Sequence, residues 1–134
     1  MRVGSRSAHE RIIASVGAAE TLVLAETLDV DSGLFLELME GGPLLSPHAS
    51  SKFRAMRAGE FGPQLPLRLA CMDLGLMLKA AEAAGAAASG LGVTRAVRAA
   101  QARGIAAGRG DDDLTAVLFG VRAAIEHPSD QAQG

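Results

Sequence analysis

The segment FGPQLPLRLACMDLGLMLKAAEAA, residues 61–84, restricts the fold of this chain more than any other. Phe61 and Pro63 open it. Pro66 suits the first turn of a helix, because its ring presets φ and its missing N–H is no loss there. Leu67, Cys71, Leu74, Leu78 and Ala81 follow at spacings of four, three, four and three. That rhythm places them on one face of a helix, and such a face needs a core to lie against. Asp73 falls beside this face, where an unpaired carboxylate is costly. Its expected role is a hydrogen bond to a backbone amide or a pair with an arginine.

A helix of this kind calls for helical neighbours, and the composition supplies them. The 134 residues are 49% hydrophobic but only 3% aromatic, with no Trp and no Tyr. The apolar mass is Ala, Leu and Val, which suits close-packed helices better than strands. No alternating strand pattern, hairpin signal or internal repeat is present.

Five further elements can be read in order. Ser7-Ala8-His9-Glu10 has the form of a capping box, starting a helix that runs to about Leu28. Ile12, Ile13, Val16, Ala19, Val23 and Leu24 form a wide apolar face on it. Leu22 lies well round from Ile13 and Val16, so this helix is expected at the centre of the domain, covered on more than one side. After a break at residues 29–33, Leu34 to Met39 is a short helix ended by Gly41-Gly42-Pro43. Ser46-Pro47 starts a third helix, which carries Phe53 and Met56 and stops near Gly59. Val93 to Ala107 is a fifth, bearing Arg95, Arg98 and Arg103. Gly108-Arg109-Gly110 turns the chain, and Asp111-Asp112-Asp113 opens a last helix from Leu114 to about His127, stopped by Pro128. The expected architecture is all-α: about six helices around a long central one. Residues 1–6 form a leader, 7–128 the helical domain and 129–134 a polar tail.

Charge and cysteine usage exclude several functions. A net charge of −2 does not suit a general nucleic-acid binder, which needs a basic surface. Cys71 is the sole cysteine, so an intrachain disulfide or cysteine-based metal cluster is impossible, and a reducing cytosol is the expected location. The apolar run at residues 12–16 is too short for a signal sequence, and no stretch approaches the roughly 18 apolar residues of a membrane span. His9, His48 and His127 have no ligand spacing, so no metal site is expected. Asp111–Asp113 lacks the remaining ligands of a calcium loop and reads as helix capping. Arg95 and Arg98, three residues apart, read as solvated surface, with a phosphate or carboxylate contact as the sharper alternative. Cys71 reads as a small hydrophobe.

Phe61, Pro63, Leu65, Leu69, Asp73, Leu74 and Leu76 fall on the pattern F-x-P-x-F-x-x-x-L-x-x-K-D-L-x-L, apart from the second aromatic, where Leu65 stands. This resembles the signature of the β-hydroxyacid dehydrogenases, the 3-hydroxyisobutyrate dehydrogenase and tartronate semialdehyde reductase group. Residues 19–25, AETLVLA, resemble the A-E-A-L-x-L-A of the family's long helix. Leu28-Asp29-Val30-Asp31 resembles the G-x-D turn after it. Residues 108–117, GRGDDDLTAV, are similar to the closing G-x-G-D-x-D-x-S-A-V. The resemblance spans about Ala18 to Ile125. It implies the helical C-terminal domain of these enzymes, a fold like the C-terminal domain of 6-phosphogluconate dehydrogenase.

The resemblance also implies a cofactor, NAD or NADP, a small hydroxyacid substrate, and a cofactor side bordered by Phe61, Met72, Asp73 and Asp113. Three family features are missing from the sequence. There is no Gly-x-Gly-x-x-Gly loop to hold dinucleotide phosphates. The family's catalytic lysine falls near Gly4, and no lysine precedes Lys52. Arginine cannot replace it as an acid or base, because it holds its proton too tightly. The lysine of the K-D-L motif is Met72 here. No residue of this chain is therefore assigned a catalytic role. The expected function is the substrate-side and dimerisation domain of an NAD(P)-dependent β-hydroxyacid dehydrogenase, a fragment or split form inactive alone, paired with itself or with a Rossmann-domain partner. The alternatives are a stand-alone non-catalytic helical interaction module and, more weakly, a small helical regulator.

Overall fold

The computed structural model describes residues 3–126, with side chains from Ser7 onward. Met1 and Arg2 of the expected leader, and the expected stop at Pro128 with the tail after it, lie outside the described residues. Six α-helices follow one another: α1 (Val3–Thr27), α2 (Ser32–Met39), α3 (Pro47–Ala58), α4 (Leu67–Ala83), α5 (Gly92–Gly104) and α6 (Val117–Glu126). A wide turn, Ile105–Arg109, and a short 3₁₀ turn, Leu114–Ala116, link α5 to α6. The expected all-α architecture is the one observed.

Helix α1 is central. It packs against α3 on one side and against α5 and α6 on others. Ile12, Val16, Ala19, Leu22 and Val23 are buried, and so is Ser15, whose hydroxyl donates to the carbonyl of Arg11 at 2.8 Å. Burial on several sides explains why Leu22 lies off the main apolar face. Two expectations need correction. The helix begins at Val3, so Ser7 lies inside it and the capping box does not mark its start. Leu24 is 57% exposed, because it lines an open cleft between α1 and α6 with Val121, Ala124 and Ile125.

Local signals set the next two helices. Asp31 caps α2: its Oδ1 accepts from the amides of Gly33 at 2.8 Å and Leu34 at 3.1 Å. Ser46 caps α3 by accepting from the amide of Ala49 at 3.1 Å, with Pro47 in the first turn. Gly59 ends α3 at φ +70°, a left-handed conformation that glycine adopts without a Cβ penalty.

On α4, Pro66 is the residue just before the helix rather than its first. Leu67, Ala70, Leu74 and Leu78 are buried; Cys71 and Ala81 lie half-buried on the shoulder of the face. Leu69, Met72 and Leu76 are exposed on the outside. Arginines tie the next helices together. Arg95 donates to Glu82 at 3.1 Å and to the carbonyl of Gly90 at 2.9 Å. The guanidinium of Arg98 lies over Gly75, and its Nε donates to the carbonyl of Cys71 at 3.5 Å. Arg98 is exposed, as the solvated-surface reading expects, while Arg95 makes a carboxylate contact, with Glu82 of the chain itself. Helices α5 and α6 cross closely, since a Cβ on Gly120 would stand 2.4 Å from the carbonyl oxygen of Ala100 and 2.7 Å from the amide of Gly104.

Candidate functional site

Three separate segments converge on the carboxylate of Asp113. The loop before α4 and the segment before the 3₁₀ turn run antiparallel. They are clipped by bonds from Asp113 N to Phe61 O (2.9 Å), Leu114 N to Leu65 O (2.8 Å) and Leu67 N to Asp112 O (2.8 Å). This clip holds Asp113 against the loop. Its Oδ1 accepts from the amides of Gln64 at 3.0 Å and Leu65 at 3.2 Å. Its Oδ2 accepts from the amide and hydroxyl of Thr115, at 3.2 and 2.9 Å, and from Lys52 Nζ at 3.2 Å.

Lys52 comes from α3, 61 residues away in sequence. It is 7% exposed and Asp113 3%, so the pair is buried. Lys52 also donates to Gln64 Oε1 at 3.4 Å. Burial pushes the Asp113 pKa up, but the amides of Gln64, Leu65 and Thr115 and the Thr115 hydroxyl outweigh it and hold the carboxyl below its ordinary value. Burial, seconded by the charge of Lys52, holds His48 below the ordinary histidine range, with a contact to the Arg11 backbone offsetting part of this.

The three consecutive aspartates divide their work. Asp111 is exposed and pairs with Arg68. Asp112 accepts from Arg109 at 3.2 Å. Asp113 is buried and caps the 3₁₀ turn through the Thr115 amide, which fits the capping expected from sequence. The Arg109 guanidinium also lies 3.9 Å over the ring of Phe119, which meets Phe61 with ring centroids 5.0 Å apart. Phe61 and Asp113 are thus joined in one cluster. Met72 and Asp73 lie on α4; Met72 is 51% exposed, and Asp73 is half-buried. Among the described residues Asp73 makes neither the hydrogen bond nor the arginine pair expected of it.

Sequence reasoning missed Lys52 and Gln64. A signal for Lys52 was present: Ala49, Lys52, Phe53 and Met56 share the buried face of α3 at spacings of three, one and three, so the lysine occupies a core position. Gln64 carried no such signal, because it lies in a loop.

A cleft of about 750 Å³ opens on one side of the ion pair, with Ser50, Arg54, Glu60, Gln64, Lys52 and Asp113 in its walls. Glu40, also in the wall, pairs with Arg54 and accepts from Ser50 at 2.6 Å. Among the described residues no group of three or more His, Cys, Asp or Glu stands close enough to hold a metal ion. No described helix is long and apolar enough to cross a membrane.

Six helices around a buried centre, with a loop clipped onto an aspartate-rich turn, make a helical domain. The family described as NAD-binding of NADP-dependent 3-hydroxyisobutyrate dehydrogenase matches residues 12–119, and this chain belongs to it. The fold is similar to that of a 3-hydroxyisobutyrate dehydrogenase from Salmonella typhimurium, with a TM-score of 0.76 at 18% identity. That likeness covers 87% of this chain and 40% of the other, so the chain spans less than half the length of that enzyme. No curated protein matches it.

Proposed function

We propose that this chain supplies the substrate-side and dimerisation half of an NAD(P)-dependent β-hydroxyacid dehydrogenase, acting in the cytosol together with a dinucleotide-binding domain. The family match over residues 12–119 carries this reading. In the assembled enzyme, Phe61, Met72, Asp73 and Asp113 border the nicotinamide. The Lys52–Asp113 pair fixes that wall by tying α3, the loop before α4 and the turn before α6 to one carboxylate. The chain alone is not expected to transfer hydride. It has Met72 in place of the K-D-L lysine, and no lysine in its first 51 residues. A general acid must reach the reacting oxygen, and a lysine committed to a buried carboxylate is poorly placed to do so.

The test is the intact mass and composition of the native product in its source cells. A chain of about twice 13.7 kDa or more, or a 13.7 kDa chain that co-purifies with a dinucleotide-binding protein and oxidises NADH or NADPH in its presence, supports the reading. A 13.7 kDa chain with no such companion and no such activity overturns it.

A second reading is favoured by the exposed stripe Leu69, Met72 and Leu76 on the outside of α4. Spaced by three and four residues, these side chains form one apolar strip of the kind that another protein surface covers. In this reading the domain is a non-catalytic assembly module. Replacing Asp73 or Asp113 then disturbs folding or assembly, while dehydrogenase activity of any mixture is unchanged.

A further inference from the structure

Helix α3 rests mainly on α1, with a lesser contact to the 3₁₀ turn before α6. His48 sits half-buried in the first turn of α3, at the seam with α1, where a cavity of about 310 Å³ remains. The lining of that cavity includes two cations, Arg11 of α1 and Lys52 of α3, and no carboxylate. The imidazole contacts the Arg11 backbone, and its Nε2 is buried without a partner among the described residues.

We propose that His48 makes the seam between α1 and α3 an acid-sensitive latch: the neutral imidazole lets α3 lie on α1, and its protonation lifts the start of α3 away. With the ring proton at the Arg11 contact, neutral His48 turns only a lone pair into the seam at Nε2. Protonation puts an N–H and a full charge on that buried atom, and no acceptor meets it. The new charge is the third cation of the cavity, after Arg11 and Lys52. It also stands at the N-terminus of α3, where the helix dipole disfavours a cation. Of the other packed elements, the loop before α4 presents the uncharged Gln64, and the turn before α6 supplies Asp113. Asp113 favours the imidazolium, but it already accepts five hydrogen bonds, one of them from Lys52. Burial and the two cations outweigh it and hold the ring below the ordinary histidine value. The closed seam therefore binds fewer protons than the open one. Its stability falls as pH drops below 6.5, and levels off once the lower folded value is passed. Opening carries Lys52 off Asp113, so the wall around that carboxylate responds to acid before the carboxylate itself titrates. The latch needs no dinucleotide and no hydride transfer, so it can fail while the dehydrogenase reading holds, and the reverse.

The experiment is NMR of the full 134-residue chain, isotope-labelled, as a function of pH. The imidazole C–H signal of His48, assigned through bonds to its own backbone, is expected to titrate below 6.5. Amide hydrogen exchange at about pH 7 and about pH 5, corrected for the intrinsic change of rate, reads the opening. The opening constant of α3 amides is expected to rise about fivefold or more on acidification, while amides of α5 and α6 keep theirs. In His48→Gln, which is neutral at both pH values, α3 opening is expected not to change between them. A His48 that titrates at or above 6.5 overturns the proposal. So does α3 protection that is indifferent to pH, or lost equally in α5 and α6. These three readings use wild type alone, so they decide even where His48→Gln does not fold. The same pH dependence in a folded His48→Gln also overturns it.

Discussion

Removing the two ends of the buried ion pair separately should have unequal effects. Asp113 receives five hydrogen bonds: three from backbone amides, one from the Thr115 hydroxyl and one from Lys52. Lys52→Met removes one of these and leaves four. It also replaces a buried ammonium by an apolar chain of similar length, which recovers the ammonium's desolvation cost, while the four remaining donors offset most of the cost of a carboxylate left without its counter-charge. The expected cost is about 1 kcal/mol. Asp113→Asn is different. An amide has one acceptor oxygen, so its NH₂ must face either the amides of Gln64 and Leu65 or the donors of Thr115 and Lys52. At least two charge-assisted bonds are lost whichever way the amide turns, and the buried Lys52 ammonium loses its counter-charge. At about 1.5–3 kcal/mol for each such bond, the expected cost is about 4 kcal/mol. The difference between the variants corresponds to about 10 °C in Tm for a domain of this size. Urea unfolding followed by far-UV circular dichroism measures it, since the chain has no Trp or Tyr for fluorescence. Equal costs, or a costlier Lys52→Met, would refute the reasoning, because the lysine and not the amides would then hold the carboxylate in place.

The same carboxylate sets an acid limb. Its pKa is held below the ordinary 3.8, so the stability it contributes is fully present above that value and is lost as pH falls through the lower folded value. Wild type should lose stability steeply below about pH 4, and Asp113→Asn should flatten that limb in urea melts taken at stepwise pH. At the α5–α6 crossing, Gly120→Ala drives a methyl to 2.4 Å from a carbonyl oxygen and must force the helices apart. A loss of about 3 kcal/mol is expected in the same melts; a loss below about 0.5 kcal/mol would mean that the helices separate freely there.

The sequence by itself determined the elements. Ser46-Pro47 and Asp31 placed helix starts, because a capping side chain acts on amides two or three residues away and needs nothing distant. The leucine spacing of α4 fixed which of its faces is buried, and the motifs around Phe61 and Asp111 identified the family. Where the sequence failed, the cause lay beyond one element. The start of α1 lies one turn before an apparent capping box, because that pattern also occurs inside helices. Leu24 followed the apolar rhythm, yet α1 and α6 diverge there and leave it in an open cleft. Arg95 read as solvated surface or a carboxylate contact, and only the packing of α4 shows that the carboxylate is Glu82. The Lys52–Asp113 pair was decided by tertiary structure alone. Its partners are 61 residues apart, and only the antiparallel clip between the loop at Phe61 and the turn at Asp113 brings α3 within reach of that carboxylate. Local physics fixes caps and faces; a buried charge finds its counter-charge only after the helices have packed.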